Sequence, residues 1–113
     1  MHKFDLEERT ARFSVDILTF CSNIKINYVN ENQIKQLIKS ATSIGANYME
    51  ANGSSSKRDF KNKISICKKE AKETTYWIRI LSTILPEKKE LLRKLWVESQ
   101  QFVLIFSSII RNS

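Results

Sequence analysis

FKNKISICKKEAKETTYWIRILSTIL, residues 60–85, repeats apolar positions at alternating four- and three-residue steps. Thr74 is the one member of this seam that is not strictly apolar, and its methyl group suits a buried position. The seam consists of Phe60, Ile64, Cys67, Ala71, Thr74, Ile78, Leu81 and Leu85. Such a repeat is typical of a helix that packs against other helices. Starting from a cap at Ser56, the predicted helix runs to about Leu85 and is about 45 Å long at 1.5 Å per residue.

The same helix carries a basic stripe, roughly 100° round the helix axis from the seam. The stripe consists of Lys57, Lys61, Lys68, Lys72 and Arg79. Residues 57–72 hold seven basic side chains against Asp59 and Glu70, so this segment carries +5 of the formal net charge of +7. Positive charge clustered in this way indicates an anionic partner.

Two helices are predicted before the basic segment. The first opens near a capping box at residues 5–8 and runs to about Ile24. The second follows a cap at Asn30 and runs to about Ala51. Its apolar stripe includes Gly45, which has no side chain and would let a neighbouring backbone approach closely. We expect this close packing to compensate for the poor helix propensity of glycine.

Two breaks delimit the later helices. Asn52–Ser56 is a loop in which Gly53 suits the left-handed position that follows a helix. Pro86 cannot continue the third helix and suits the first turn of a fourth, which ends near Arg111. We therefore predict a single domain over residues 1–113 with an all-α fold, an up-down-up-down antiparallel four-helix bundle.

The run FVLIF, residues 102–106, places apolar side chains on every face of the fourth helix. A four-helix protomer buries one face of each helix, so Leu104 or Ile105 would be exposed, and Trp77 beside the seam poses the same problem. Self-association would cover these side chains. The predicted oligomer interface consists of Trp77, Phe102, Leu104 and Ile105.

Catalytic and metal-binding chemistry is not indicated. The sequence has no phosphate-binding loop, dinucleotide fingerprint, nucleophile elbow or Cys-x-x-Cys motif, and its one histidine, His2, lies in a terminus expected to fray. We predict no enzyme activity, no cofactor and no metal site. Cys21 and Cys67 have core spacing and are expected to be buried, reduced thiols. Without a membrane-length apolar run or a signal-peptide core, a cytoplasmic location is expected.

Three segments resemble a known bacterial family. They are FDLEERTARFSVDI (residues 4–17), GANYMEA (45–51) and DFKNKISICKKEAKETTYWIRIL (59–81), with the run from Lys69 to Trp77 the most specific. The sequence is similar to the four-helix bundle proteins encoded by intervening sequences within large-subunit ribosomal RNA genes.

This resemblance implies a four-helix protomer with a basic surface that assembles into a ring, typically a homopentamer. It also implies a relationship to the accessory variability proteins of diversity-generating retroelements, which bind nucleic acid and a reverse transcriptase. The family pattern supplies no catalytic residues. The matching positions Glu50, Glu70, Glu73 and Tyr76 are interpreted as contacts between helices or subunits.

The leading hypothesis is an oligomeric, non-enzymatic protein that binds RNA or structured DNA through phosphate contacts. The predicted nucleic-acid-binding residues are Lys57, Arg58, Lys61, Lys68, Lys69, Lys72 and Arg79. The cations Arg9, Arg12, Lys88, Lys89, Arg93 and Lys94 would extend the surface. Tyr76 and Trp77 are the only aromatic residues near the stripe, which favours backbone binding over base recognition.

Two alternatives stay open. The basic stripe would be an ordinary solvated face if local ion pairs neutralised it, for example Glu70 with Arg58, Lys69 or Lys72. The protein would instead be a structural interaction module if its basic surface or its apolar fourth helix docked another protein, such as a reverse transcriptase or a ribosome-associated partner.

Overall fold

The computed structural model describes residues 3–113, with side chains from Asp5 onward, so the prediction for His2 lies outside the described residues. Within this range the helices are α1 (Lys3–Ser22), α2 (Glu31–Asn52), α3 (Lys57–Ile84) and α4 (Lys89–Arg111), and a 3-10 turn, Pro86–Lys88, leads into α4. Helix α3 packs along both α2 and α4, while α1 packs on α2 and contacts α4 less extensively. The molecule measures 44 × 21 × 19 Å. The predicted all-α four-helix bundle is confirmed.

The seam of α3 forms the centre of the core. Its six middle members, from Ile64 to Leu81, are buried, and the terminal members Phe60 and Leu85 are half-buried against them. Thr74 is fully buried, and its hydroxyl lies 2.9 Å from the hydroxyl of Ser40 on α2. The same hydroxyl lies 2.8 Å from the Glu70 carbonyl oxygen of α3, so this buried polar group has hydrogen-bond partners on its own helix and on α2.

Both cysteines lie in the core as free thiols. Burial raises the pKa of Cys21 to about 11 and that of Cys67 to about 12. The Cys67 thiol donates a hydrogen bond to the Ile44 carbonyl oxygen at 3.5 Å. Because the thiolate is the reactive form, these side chains act as small apolar core residues rather than as nucleophiles.

The helix ends confirm some predicted caps and correct others. The Ser56 hydroxyl accepts the Asp59 backbone N–H at 3.1 Å, as the cap prediction requires. Helix α1 begins at Lys3, so Asp5 lies within its first turn, where an acidic side chain is favourable. Gly53 was expected to be left-handed, but its φ is −93°. Its N–H instead bonds to the Glu50 carbonyl, a tighter ending that needs no positive φ.

Asn30 stands at the predicted position before α2, but its side chain holds the preceding loop rather than the helix end. Its amide oxygen accepts the Asn27 N–H at 3.0 Å, and its amide nitrogen donates to the Lys25 carbonyl at 3.2 Å. The Asn27 side chain in turn accepts the N–H groups of Val29 and Asn30. These two asparagines give the α1–α2 loop a fixed shape.

Gly45 brings α2 close to α1, as predicted. A Cβ placed on Gly45 would lie 3.0 Å from the Oγ1 of Thr10 and 3.2 Å from its Cβ. Thr10 is buried, and its hydroxyl donates to the Leu6 carbonyl oxygen at 2.9 Å. This hydrogen bond holds the threonine side chain against Gly45.

We predict that Gly45→Ala lowers the free energy of unfolding, by up to about 2 kcal/mol, because overpacking outweighs the gain in helix propensity. Urea denaturation measures the change. Ala46→Gly, at the exposed neighbouring position, isolates the propensity effect and should cost about 1 kcal/mol. In a Thr10→Ala background, where the closest contact is gone, Gly45→Ala should be less destabilising. A Gly45→Ala protein more stable than the wild type would contradict the close packing.

Candidate nucleic-acid interface

The seven predicted binding residues lie on one helix, which holds them in register. We call Lys57, Arg58, Lys61, Lys68, Lys69, Lys72 and Arg79 the basic face of α3. All are exposed except Lys68, which is half-buried. Five of them form the predicted stripe, and Arg58 and Lys69 lie next to it on the solvent side. From Lys57 to Arg79 the face is about 33 Å long at 1.5 Å per residue.

Among the residues that the structure describes, none of these seven side chains forms an ion pair within 4.0 Å. The ion pairs present are Arg9–Glu98, Lys35–Glu31 and Lys63–Glu50. Lys63 is the one basic residue of the 57–72 segment that is paired, at 2.7 Å across to α2. The basic face therefore keeps its charge in the protomer, and local neutralisation is not observed.

Glu70 was the acidic residue expected to neutralise the stripe if any did. The structure shows no ion pair for it within the described part of the chain. Burial raises the pKa of Glu70, the neighbouring Glu73 carboxylate adds to the rise, and Lys69 and Lys39 oppose it. Burial and like-charge repulsion thus outweigh the attraction of the nearby lysines. Glu50, by contrast, makes the interhelix contact that the family resemblance implied.

One end of the basic face runs into the loop between α2 and α3. Ser54, Ser55 and Ser56 line a recess together with Lys57, Arg58, Lys61 and the last two residues of the chain. The Ser54 hydroxyl donates to the Glu50 carbonyl oxygen, whereas the Ser56 hydroxyl accepts a hydrogen bond and keeps its proton available. The structure thus places the serine loop beside the lysines, as the sequence predicted.

The other end of the basic face runs into a groove between α3 and α4, which we call the Trp96 groove. It is lined by Arg79, Ser82, Thr83, Pro86, Lys89, Arg93 and Trp96. The short turn at Pro86–Lys88 folds α4 back on α3, which brings Lys89 and Arg93 beside Arg79. Trp96 is 38% exposed. The sequence analysis missed this indole because it considered only aromatic residues on α3 itself.

The residues of the predicted oligomer interface differ in their exposure within the protomer. Phe102 is fully buried in the protomer, edge-to-face against Phe13 at 5.3 Å, so it is not available to a second subunit and its assignment is corrected. Phe102 is buried because α4 packs against α1 as well as α3, so a larger part of its circumference is covered. Trp77 and Ile105 are half-buried against the core, and Leu104 is 62% exposed.

A bidentate ion pair closes the contact between α1 and α4. The Arg9 guanidinium donates to both carboxylate oxygens of Glu98, each at 2.7 Å, and lies 5.4 Å from the centre of the Phe102 ring. The pair raises the pKa of Arg9. Arg9, which the sequence analysis offered as an extension of the basic surface, is therefore neutralised and does not extend it.

Residues 2–105 match the family model described as 23S rRNA-intervening sequence protein. The chain belongs to this family. A similar crystal structure, at 1.70 Å resolution, is that of a protein with unknown function from the S23 ribosomal protein family of Bacteroides thetaiotaomicron VPI-5482. It is 33% identical to this chain, with a TM-score of 0.83 over 92% of this chain and 96% of that one. No curated protein matches the chain.

The match confirms the family resemblance but brings no biochemical activity, since the related crystal structure is described as having unknown function. Over residues 3–113, no group of three histidine, cysteine or acidic side chains is placed to hold a metal ion. None of the described helices combines the length and apolar character needed to cross a membrane. On the surface that the structure describes, the main candidate for ligand binding is the row of cations on the basic face of α3.

Proposed function

We propose that this protein is a non-enzymatic, cytoplasmic, homo-oligomeric protein, a pentamer by family analogy, that binds RNA or structured DNA through phosphate contacts. The observation that supports this proposal is the basic face of α3, whose seven cations lie outward and unpaired in the described protomer. A row of fixed cations binds a phosphate backbone by releasing its condensed counterions.

The arrangement of these cations works against helix stability, which favours a role in binding. Lys57 and Lys61, and likewise Lys68 and Lys72, are like-charged neighbours four residues apart. Such pairs destabilise a helix, whereas Glu–Lys pairs at the same spacing would stabilise it. A merely solvated face would gain from alternating charges. A polyanion would relieve the repulsion along this face.

The straightness of the face favours contacts to the backbone rather than to base edges. Lys61, Lys68, Lys72 and Arg79 follow one another at steps of about 10, 6 and 10 Å along the helix axis. Long, flexible lysine side chains at these spacings can reach successive phosphates, but they act as point charges and carry little sequence information. The proposed binding is therefore strong at low salt and nearly independent of sequence.

A second candidate function, docking of a protein partner, is favoured by the loop between α1 and α2. Ile26, Tyr28 and Val29 are exposed there, with Tyr28 fully accessible to solvent. The asparagine hydrogen bonds described above fix the backbone of the loop that carries these three apolar side chains. A preformed apolar projection of this kind suits insertion into a partner, such as a reverse transcriptase or a ribosome-associated protein.

We predict that affinity for duplex nucleic acid falls steeply with salt, by roughly five decades per decade of salt for about six phosphate contacts. The triple variant Lys61→Glu, Lys68→Glu, Lys72→Glu should lose binding, because it reverses the centre of the basic face. The matched control is Lys25→Glu, Lys35→Glu, Lys39→Glu, which makes the same change in net charge at exposed positions outside α3. Fluorescence anisotropy measures affinity, and circular dichroism checks that both variants remain helical.

The control variant should keep the salt slope of the wild type and lose only a modest part of its affinity. A salt-independent affinity would contradict phosphate binding. Equal losses in the two triple variants would show that net charge, and not the basic face of α3, governs the interaction.

We predict that Leu104→Glu dissociates the oligomer without unfolding the protomer, because Leu104 is exposed within one protomer and a buried carboxylate at an interface is strongly unfavourable. Light scattering should show a mass near 13.2 kDa for the variant and a multiple of it for the wild type. Met49→Glu, at a comparably exposed position on α2, is the matched control and should keep the wild-type mass. A wild-type protein that is already monomeric would overturn the proposed self-association.

A further inference from the structure

Trp96 is a tryptophan that the protomer leaves partly exposed. Leu95, its neighbour in the chain, and the other tryptophan, Trp77, are half-buried against the hydrophobic core. The indole is instead 38% exposed and lines the Trp96 groove. The exposed part of a large aromatic side chain is available for binding.

The groove surrounds this indole with positive charge. Arg79 enters from α3, and Lys89 and Arg93 enter from the first turns of α4. None of the three forms an ion pair within the described range of the chain. Glu90 does not line this groove but a separate recess, with Arg93, Lys94 and Val97. Three unpaired cations around an aromatic face are the groups that recognise a nucleotide, by stacking on the base and contacting its phosphates.

The groove is also continuous with the basic face of α3, because Arg79 belongs to both. Its volume of about 640 Å³ is in the range of sites that hold small organic ligands. A nucleic-acid backbone that follows Lys61, Lys68 and Lys72 therefore meets Arg79 next and then the indole. A strand bound along the basic face of α3 would therefore reach the Trp96 groove.

We propose that the Trp96 groove binds an unpaired base of a single-stranded nucleic acid, with Trp96 stacking on the base and Arg79, Lys89 and Arg93 contacting the flanking phosphates. This inference rests on the proposed function and narrows it from nucleic acid in general to single strands. In a duplex both faces of each base are covered by its neighbours, so Trp96 can stack only where a base is unpaired. The groove adds the base contact that the lysines of α3 lack.

The test compares single-stranded and duplex binding in the wild type, Trp96→Leu and Tyr76→Leu. Leucine removes the stacking surface and keeps an apolar side chain, while Tyr76 is an exposed aromatic residue on α3 that does not line the groove. Anisotropy with a labelled oligouridylate measures single-strand affinity. Competition with relaxed, closed-circular DNA, which has no ends, measures duplex affinity.

We expect Trp96→Leu to lower the affinity for oligouridylate by roughly tenfold or more and to leave duplex affinity unchanged. Tyr76→Leu, which removes an aromatic side chain outside the groove, should not lower the affinity for oligouridylate relative to that for the duplex. In a Trp77→Phe background, where Trp96 is the only indole, oligouridylate should quench the tryptophan fluorescence and the closed-circular duplex should not.

The outcomes separate this inference from the function on which it rests. Unchanged oligouridylate binding in Trp96→Leu, or an equal loss for both nucleic acids, would overturn the base-stacking site and leave phosphate binding by α3 intact. A wild-type protein that binds neither nucleic acid would overturn both. A changed mass of Trp96→Leu in light scattering would show that a second copy of the chain covers the indole, and this too would overturn the site.

Discussion

Burial of the α3 seam between α2 and α4 is the constraint from which the rest of the molecule follows. The seam and the basic stripe lie on the same rigid helix, roughly 100° apart about its axis. Turning the stripe inward would expose Ile64, Ile78 and Leu81, which are fully buried. Each such side chain contributes about 1.5–3 kcal/mol through burial. The outward direction of the cations is therefore enforced by the core and not by any contact of the cations themselves.

Ion pairs contribute less to stability than burial of the α3 seam does. The pairs Lys63–Glu50 and Arg9–Glu98 join α3 to α2 and α1 to α4. Partly exposed pairs of this kind contribute about 1 kcal/mol or less to stability. Their main effect is to select which cations remain available, since Lys63 and Arg9 are neutralised while the basic face of α3 is not. The positions of Glu50 and Glu98 therefore determine which cations belong to the candidate interface.

Features carried by local sequence could be predicted, and features that depend on two helices meeting could not. The α3 seam, the Ser56 cap and the break at Pro86 each follow from residues close together in the chain. The burial of Phe102 was missed because it depends on α1 covering α4 through Phe13 and Arg9. The Trp96 groove was missed for the same reason, since the antiparallel return of α4 brings Trp96 beside Arg79. The loop-holding role of Asn30 depends on the shape of a loop that its position before α2 does not reveal.

Lysine acetylation mapped by mass spectrometry, with and without saturating RNA at low salt, tests the central claim most directly. Lys63 is an internal control, because it lies on the same helix as the basic face but is paired with Glu50 on the side towards α2. The account predicts that RNA slows acetylation of Lys61, Lys68 and Lys72 strongly and leaves Lys63 and Lys35 at their rates in the free protein. Unchanged rates at Lys61, Lys68 and Lys72 under saturating RNA, or equal slowing at Lys35, would contradict it.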